Sequence, residues 1–216
     1  MAINMTLYDM FFPQMCPYCG ELTGKTVESC SDCAEMLKKT KLYSQRLGNG
    51  VEVVSAFPYE NAFRLALVNY KYNDHMQFFK PFSLTLQRVI SEAYADVKFD
   101  LFTTVPASNK LSSERYDQVD KFTKRTAKLC RVDYDIVLEK LKDGTPQHEL
   151  SAKQRRINVI GLFALKHDRN VSGKSVLLFD DTVTTGSTLL ACSDILKSSG
   201  VSKICCVTLF HRDLKN

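Results

Sequence analysis

The residues best suited to chemistry are two adjacent carboxylates followed by hydroxyls around one glycine: Asp180-Asp181-Thr182-Val183-Thr184-Thr185-Gly186-Ser187-Thr188. An apolar run, Ser175–Phe179, precedes them and has the composition of a parallel strand covered on both faces. Helical spacing resumes at Thr188. A strand therefore delivers the acids to its C-terminal end, the edge where open α/β sheets bind ligands. Amide groups at the following helix start, with the helix dipole, favour a phosphate dianion. Gly186 permits close backbone approach, while Thr184, Thr185, Ser187 and Thr188 add hydroxyl donors. Two carboxylates beside a phosphate repel it unless they face something else, and vicinal sugar hydroxyls are good donors to carboxylates. The acids on the 2′ and 3′ hydroxyls and the loop on the 5′ phosphate together describe a ribose 5-phosphate. The same residues also fit a plain capped strand–turn–helix. The complete run of apolar strand, Asp-Asp, Thr-Thr-Gly and Ser-Thr favours the ligand. Gly173-Lys174-Ser175 precedes the strand, so it does not form a nucleotide-binding P-loop.

A second constellation lies near the start. Cys16-Pro17-Tyr18-Cys19 and Cys30-Ser31-Asp32-Cys33 are two C-x-x-C knuckles, with ten residues between them. Each presents two thiolates to one ion, and the two complete a tetrahedral four-sulfur site that suits structural Zn²⁺. Disulfides, an iron–sulfur cluster and unliganded thiols are the alternatives. Cys130, Cys192, Cys205 and Cys206 sit in apolar contexts and read as small core residues. His75, His148, His167 and His211 share no metal spacing. Tyr18 and Tyr43 flank the knuckles, where they either stack on a base or form a miniature core.

These groups need a scaffold. The chain has 216 residues, 44% hydrophobic and 25% charged, enough for one well-buried α/β domain plus a small appendage. Its net charge of +5 suits phosphate-rich ligands or weak nucleic-acid contact without deciding between them. No apolar run reaches about eighteen residues, and residues 1–14 lack a cationic signal-peptide start. No membrane insertion and a cytoplasmic location are expected. Residues 1–45 form the expected knuckle module, with short turns and little periodicity. Residues 41–50 end in Gly48-Asn49-Gly50 and read as a turn or linker.

The second expected domain spans 51–216. Val51–Phe57, Leu101–Val105, Ile136–Leu141, Gly161–Leu165, Ser175–Phe179 and Ile204–Phe210 read as strands. Asn61–Tyr70, Met76–Ala95, Tyr116–Cys130 and Thr188–Ser198 read as helices. The alternation predicts an α/β fold, a parallel sheet with helices on both faces.

Two further segments bear on the site. Val105-Pro106-Ala107-Ser108-Asn109-Lys110 ends a strand, with Arg115 soon after. The polar stretch Thr145–Val159 has the size of a lid, in which Arg155 or Arg156 can close over a phosphate. By pattern alone a charged surface helix is the better reading of that stretch. Residues 176–188 resemble the 5-phosphoribosyl-1-pyrophosphate (PRPP) motif of type I phosphoribosyltransferases, with Thr182 where an aliphatic residue is usual. The cysteine-rich start, the Val-Pro loop leading to Arg115-Tyr116-Asp117-Gln118, the Gln147…Leu150-Ser151…Arg155…Asn158 stretch and this motif occur together, in this order, in the ComF/GntX family. The chain resembles that family over nearly its whole length. It departs in lacking the glycine usual between Arg115 and the aromatic residue.

The resemblance implies a type I phosphoribosyltransferase-like fold. It also implies PRPP bound with Mg²⁺, pyrophosphate held at Ala107, Ser108, Lys110 and Arg115, and a role in uptake of transforming DNA. Thr184 stands where hypoxanthine-type relatives carry a purine-contacting aspartate, which weighs against purine salvage. Two other readings stay open. One is a metabolic phosphoribosyltransferase with another acceptor. The other is a non-catalytic adaptor whose knuckles dock single-stranded DNA or a competence helicase.

Overall fold

The computed structural model describes residues 15–23, 29–59, 79–106, 113–141 and 162–212, with side chains given except at Phe79 and residues 113–118. In chain order the elements are α1 (Ser31–Lys39), β1 (Tyr43–Arg46), β2 (Glu52–Pro58), α2 (Phe79–Ala93), β3 (Leu101–Thr104), α3 (Ser113–Cys130), β4 (Leu138–Lys140), β5 (Phe163–Leu165), β6 (Ser175–Val183), α4 (Ser187–Ser198) and β7 (Lys203–His211). Five strands form one sheet in the order β1-β2-β7-β6-β3. β2, β7, β6 and β3 are parallel, and β1 is an antiparallel edge. β4 and β5 make a separate antiparallel pair. The expected helix at 61–70 lies outside the described residues.

Helices cover both faces of the sheet. α2 contributes Phe82, Leu86, Val89 and Ile90, and α3 contributes Phe122 and Ala127, to a core against Phe102, Leu177, Phe179 and Val207. On the opposite face α4 packs Leu189, Cys192 and Leu196 on Val53, Leu178 and Cys206, with Leu138 and Phe163 from the β4–β5 pair. Burial on both sides explains why β6 reads as an unbroken apolar run. Tyr94, just past α2, donates its hydroxyl to the Cys206 carbonyl at 2.8 Å and ties the helix end to β7.

Three expectations change. Residues 41–50 are not a linker, because Tyr43–Arg46 pairs with Glu52–Ser55 as the sheet edge, and only Leu47–Gly50 turns. The sequence YSQR alternates half-buried and exposed, the signature of a one-sided edge strand too short to stand out. The knuckle segment contains a nine-residue helix, α1, begun by Cys30 as N-cap. Nor does it form a core of its own: Cys16, Tyr18 and Cys33 belong to the α2-side core. Finally, β6 continues four residues beyond Phe179, so Asp180 and Asp181 lie within the strand instead of after it.

Candidate functional site

β6 carries the acid pair to the C-terminal edge of the sheet. Asp180 aligns with Thr208 of β7, and Thr208 with Ser55 of β2. These three form a polar row on the α4 side, one step above the apolar row Val53–Cys206–Leu178. Ser55 and Thr208 are fully buried and their hydroxyls lie 2.6 Å apart. Thr208 donates onward to the Phe210 carbonyl at 3.1 Å, which leaves Ser55 as donor to Thr208. Asp180 is half-buried, and its charge, second to burial, pushes the Cys192 thiol up. Asp181 follows it, also half-buried, and its amide donates to Asp180 Oδ1 at 2.9 Å.

Beyond Val183 the chain bends through Thr184 and Thr185 and enters α4 at Gly186. Gly186 is the N-cap, with φ 71° and ψ 7°, a left-handed conformation that disfavours any side chain. Thr185 Oγ1 and Ser187 Oγ are 2.8 Å apart, and the Ser187 amide donates to Thr185 Oγ1 at 3.3 Å. The structure thus brings Asp180, Asp181, Thr184, Thr185, Gly186, Ser187 and Thr188 into one strand–loop–helix junction. Ala107, Ser108, Lys110 and Arg155 lie outside the described residues. Arg115 is in the first turn of α3, and its side chain is not described.

Sequence reasoning did not single out Ser55 or Thr208. A hydroxyl residue in an apolar strand is ordinary β composition, and the row appears only when non-adjacent strands come into register. The same edge carries Tyr43, stacked on His211 at 3.9 Å and 11° between ring planes. Arg212 stands over Tyr59 at 5.7 Å. His211 is therefore half-buried at the end of a sheet strand.

The four knuckle cysteines come together, their sulfurs all within 4.8 Å of one another. Cys19 Sγ and Cys30 Sγ are 3.6 Å apart. A tetrahedral site with Zn–S bonds of about 2.3 Å requires about 3.8 Å between sulfurs, so the spacing fits. Cys16 and Cys33 are buried, Cys30 is half-buried and Cys19 is exposed. Burial opposes ionisation of Cys16, but amide donors, including that of Cys30 at 3.3 Å, outweigh it and lower its pKa. At Cys30 the Cys33 amide favours the thiolate, yet desolvation and the neighbouring sulfurs win and push the thiol up to about 11. Burial and the same crowding push Cys33 up further. One thiolate formed among crowded thiols opposes the next, and a divalent cation reverses that balance. The donor set fits a closed, four-sulfur structural metal site.

The fold and this junction define a class of protein: residues 117–215 match the phosphoribosyl transferase domain family. Over 204 residues the chain is 26% identical to Competence protein F of Haemophilus influenzae (strain ATCC 51907 / DSM 11121 / KW20 / Rd), covering 87% of this chain and 82% of that protein. The chain is thus similar to that competence protein over most of its length, and its C-terminal part matches the phosphoribosyl transferase domain family. Among solved structures it is similar to the adenine phosphoribosyltransferase from Saccharomyces cerevisiae, with 14% identity and TM-score 0.45 over 84% of this chain and 89% of the other. It is also similar to an allosteric regulatory enzyme of purine biosynthesis, with 19% identity and TM-score 0.42 over 65% of this chain, but spans only 29% of that chain's length. Among the described residues no helix is long and apolar enough to cross a membrane.

Proposed function

We propose that the β6–α4 junction binds the ribose 5-phosphate part of PRPP. The observation that carries this reading is the left-handed Gly186 N-cap, separated by four residues from an acid pair at the sheet edge. The loop Thr184–Thr188 receives the 5′ phosphate at the helix start, and Asp180 and Asp181 accept from the ribose hydroxyls. The Ala107–Lys110 segment and Arg115 take the pyrophosphate side, and Arg155 acts as the lid. Magnesium bound with PRPP supplies charge neutralisation on the pyrophosphate.

The knuckle segment, residues 1–45, holds Zn²⁺ through Cys16, Cys19, Cys30 and Cys33, and residues 51–216 carry the sugar-phosphate site. We place the protein in the cytoplasm, in support of DNA uptake, the role suggested by similarity to a competence protein. Calorimetric titration with PRPP and Mg²⁺ tests the site. Wild type binds, and the double change Asp180→Asn/Asp181→Asn abolishes ribose recognition with the fold intact. Unchanged affinity in that variant contradicts the assignment of the acids. Pyrophosphate release, with and without a panel of bases, then separates a transferase from a ligand sensor. Single-stranded DNA binding by the full chain and by Lys38→Glu/Lys39→Glu, at exposed positions of α1, tests the adaptor reading; equal affinity removes that basic face of the knuckle segment from the role.

A further inference from the structure

The turn between β1 and β2 touches the phosphate loop from behind. Leu47 is buried in the α4-side core. A Cβ built on Gly186 would meet Leu47 Cδ2 at 2.6 Å, closer than any tolerated carbon contact. Two constraints thus meet at Gly186: its left-handed backbone and a neighbouring leucine wall. The turn is closed by Leu47 N–H to the Val51 carbonyl and Gly50 N–H to the Leu47 carbonyl, both at 2.9 Å. Asn49 Oδ1 accepts from the Val51 amide at 3.1 Å.

The turn is then fastened along α4. Asn49 Nδ2 donates to Ser193 Oγ at 2.8 Å and to Asp194 Oδ1 at 2.7 Å, and Lys197 Nζ donates to the Asn49 carbonyl at 2.8 Å. Both Asn49 amide hydrogens and both its oxygens are engaged, so the turn has one register on the helix. Apolar packing alone tolerates sliding; three directional bonds from the turn to the helix do not.

We propose that Leu47 and Asn49 are positioning residues for the phosphate loop: Leu47 sets the backbone of Gly186 from behind, and Asn49 holds the middle and last turn of α4, and through the rigid helix its start, in register with the sheet edge. The assignment rests on the reading of Thr184–Thr188 as a phosphate site and extends that site to a segment about 140 residues earlier in the chain. β1 and its turn thereby serve the ligand as well as the sheet.

A double-mutant cycle on the full chain tests this, with PRPP and ribose 5-phosphate as probes in calorimetry. Gly186→Ala lowers affinity about a hundredfold, combining steric clash with backbone strain. Leu47→Ala alone costs less than about tenfold. Combined with Gly186→Ala, it restores about tenfold, because the wall is gone and only the left-handed strain persists. A combined variant that binds no better than Gly186→Ala, while wild type binds, overturns the proposal and leaves the ribose-phosphate reading standing. No binding by wild type overturns both.

A second arm uses solvent-facing atoms. Asn49→Asp sets a carboxylate against Asp194 and lowers affinity about tenfold, and Asn49→Asp/Asp194→Asn regains most of it by exchanging donor and acceptor. Purely structural packing gives no such regain. If Gly186→Ala does not fold, this exchange decides alone, and absence of regain overturns the proposal.

Discussion

Asp180 stands in line with the buried hydroxyls of Thr208 and Ser55, and the amide of Asp181 already donates to it. A charge-assisted hydrogen bond to a sugar hydroxyl contributes about 1.5–3 kcal/mol, so loss of either carboxylate should weaken PRPP about ten- to a hundredfold. Removing a negative charge beside the loop cannot weaken inorganic phosphate by the same amount, and Coulomb repulsion predicts unchanged or tighter binding. Titrations of Asp180→Asn and Asp181→Asn with both ligands check this pair of signs. A parallel loss for PRPP and phosphate shows that the acids support the loop instead of reading the sugar. The pair, the glycine and the hydroxyls were legible in the sequence because their order alone encodes the junction. The Ser55–Thr208 row was not, since its members meet only across β2 and β7.

At the scale of elements, the alternation of side chains breaks near the site. Ala56 and Phe57 of β2 both face the α2-side core, as do Leu209 and Phe210 of β7. The break places Phe57 and Phe210 together, rings 5.9 Å apart, and both approach Phe82 or Tyr18. Tyr18 comes from inside the first knuckle, is only 2% exposed, and meets Phe57 and Phe82 edge-on at 6.1 and 5.9 Å. Its hydroxyl lies 3.2 Å from Thr85 Oγ1 on α2. The knuckle therefore wedges an aromatic ring against the strand ends that adjoin the acid pair. Tyr18→Ala should cost about 3–5 kcal/mol, as for other large buried rings, and Tyr18→Phe about 1 kcal/mol for the lost hydrogen bond. Urea unfolding of both variants measures the difference; equal, small effects mean the ring is not part of the core. Tyr18 as a stacking platform for bases is ruled out by this burial, although a lone tyrosine between Pro17 and Cys19 carries no sequence signal of depth. The main strands and helices were legible from period and composition. The edge strand β1 and helix α1 were not, because one is four residues of alternating polarity and the other nine residues opened by a cysteine.

For the molecule as a whole, the consequence concerns cooperativity. A metal module joined by a linker would unfold by itself, and the phosphoribosyl transferase domain would not register metal loss. Here Cys16, Tyr18 and Cys33 share one core with α2, α3 and the sheet, while Leu47–Gly50 is bound to α4 on the other face. Structural zinc supplies about 10–16 kcal/mol of binding free energy in small knuckle peptides, comparable to the whole stability of an ordinary domain. Its removal should therefore reach the sheet. Treatment with a zinc chelator is expected to shift a single calorimetric unfolding transition down by about 10 °C, equivalent to about 3 kcal/mol for a chain of this length. PRPP affinity should fall in parallel, since the ends of β2 and β7 beside the acid pair rest on the Tyr18–Phe57–Phe82–Phe210 cluster. By linkage, saturating PRPP should raise zinc affinity by the same factor, measured by equilibrium competition with a chromogenic chelator. Two separate transitions, or a main transition that ignores the chelator, would show that the knuckles and the sugar-phosphate site share a surface but not a folding unit.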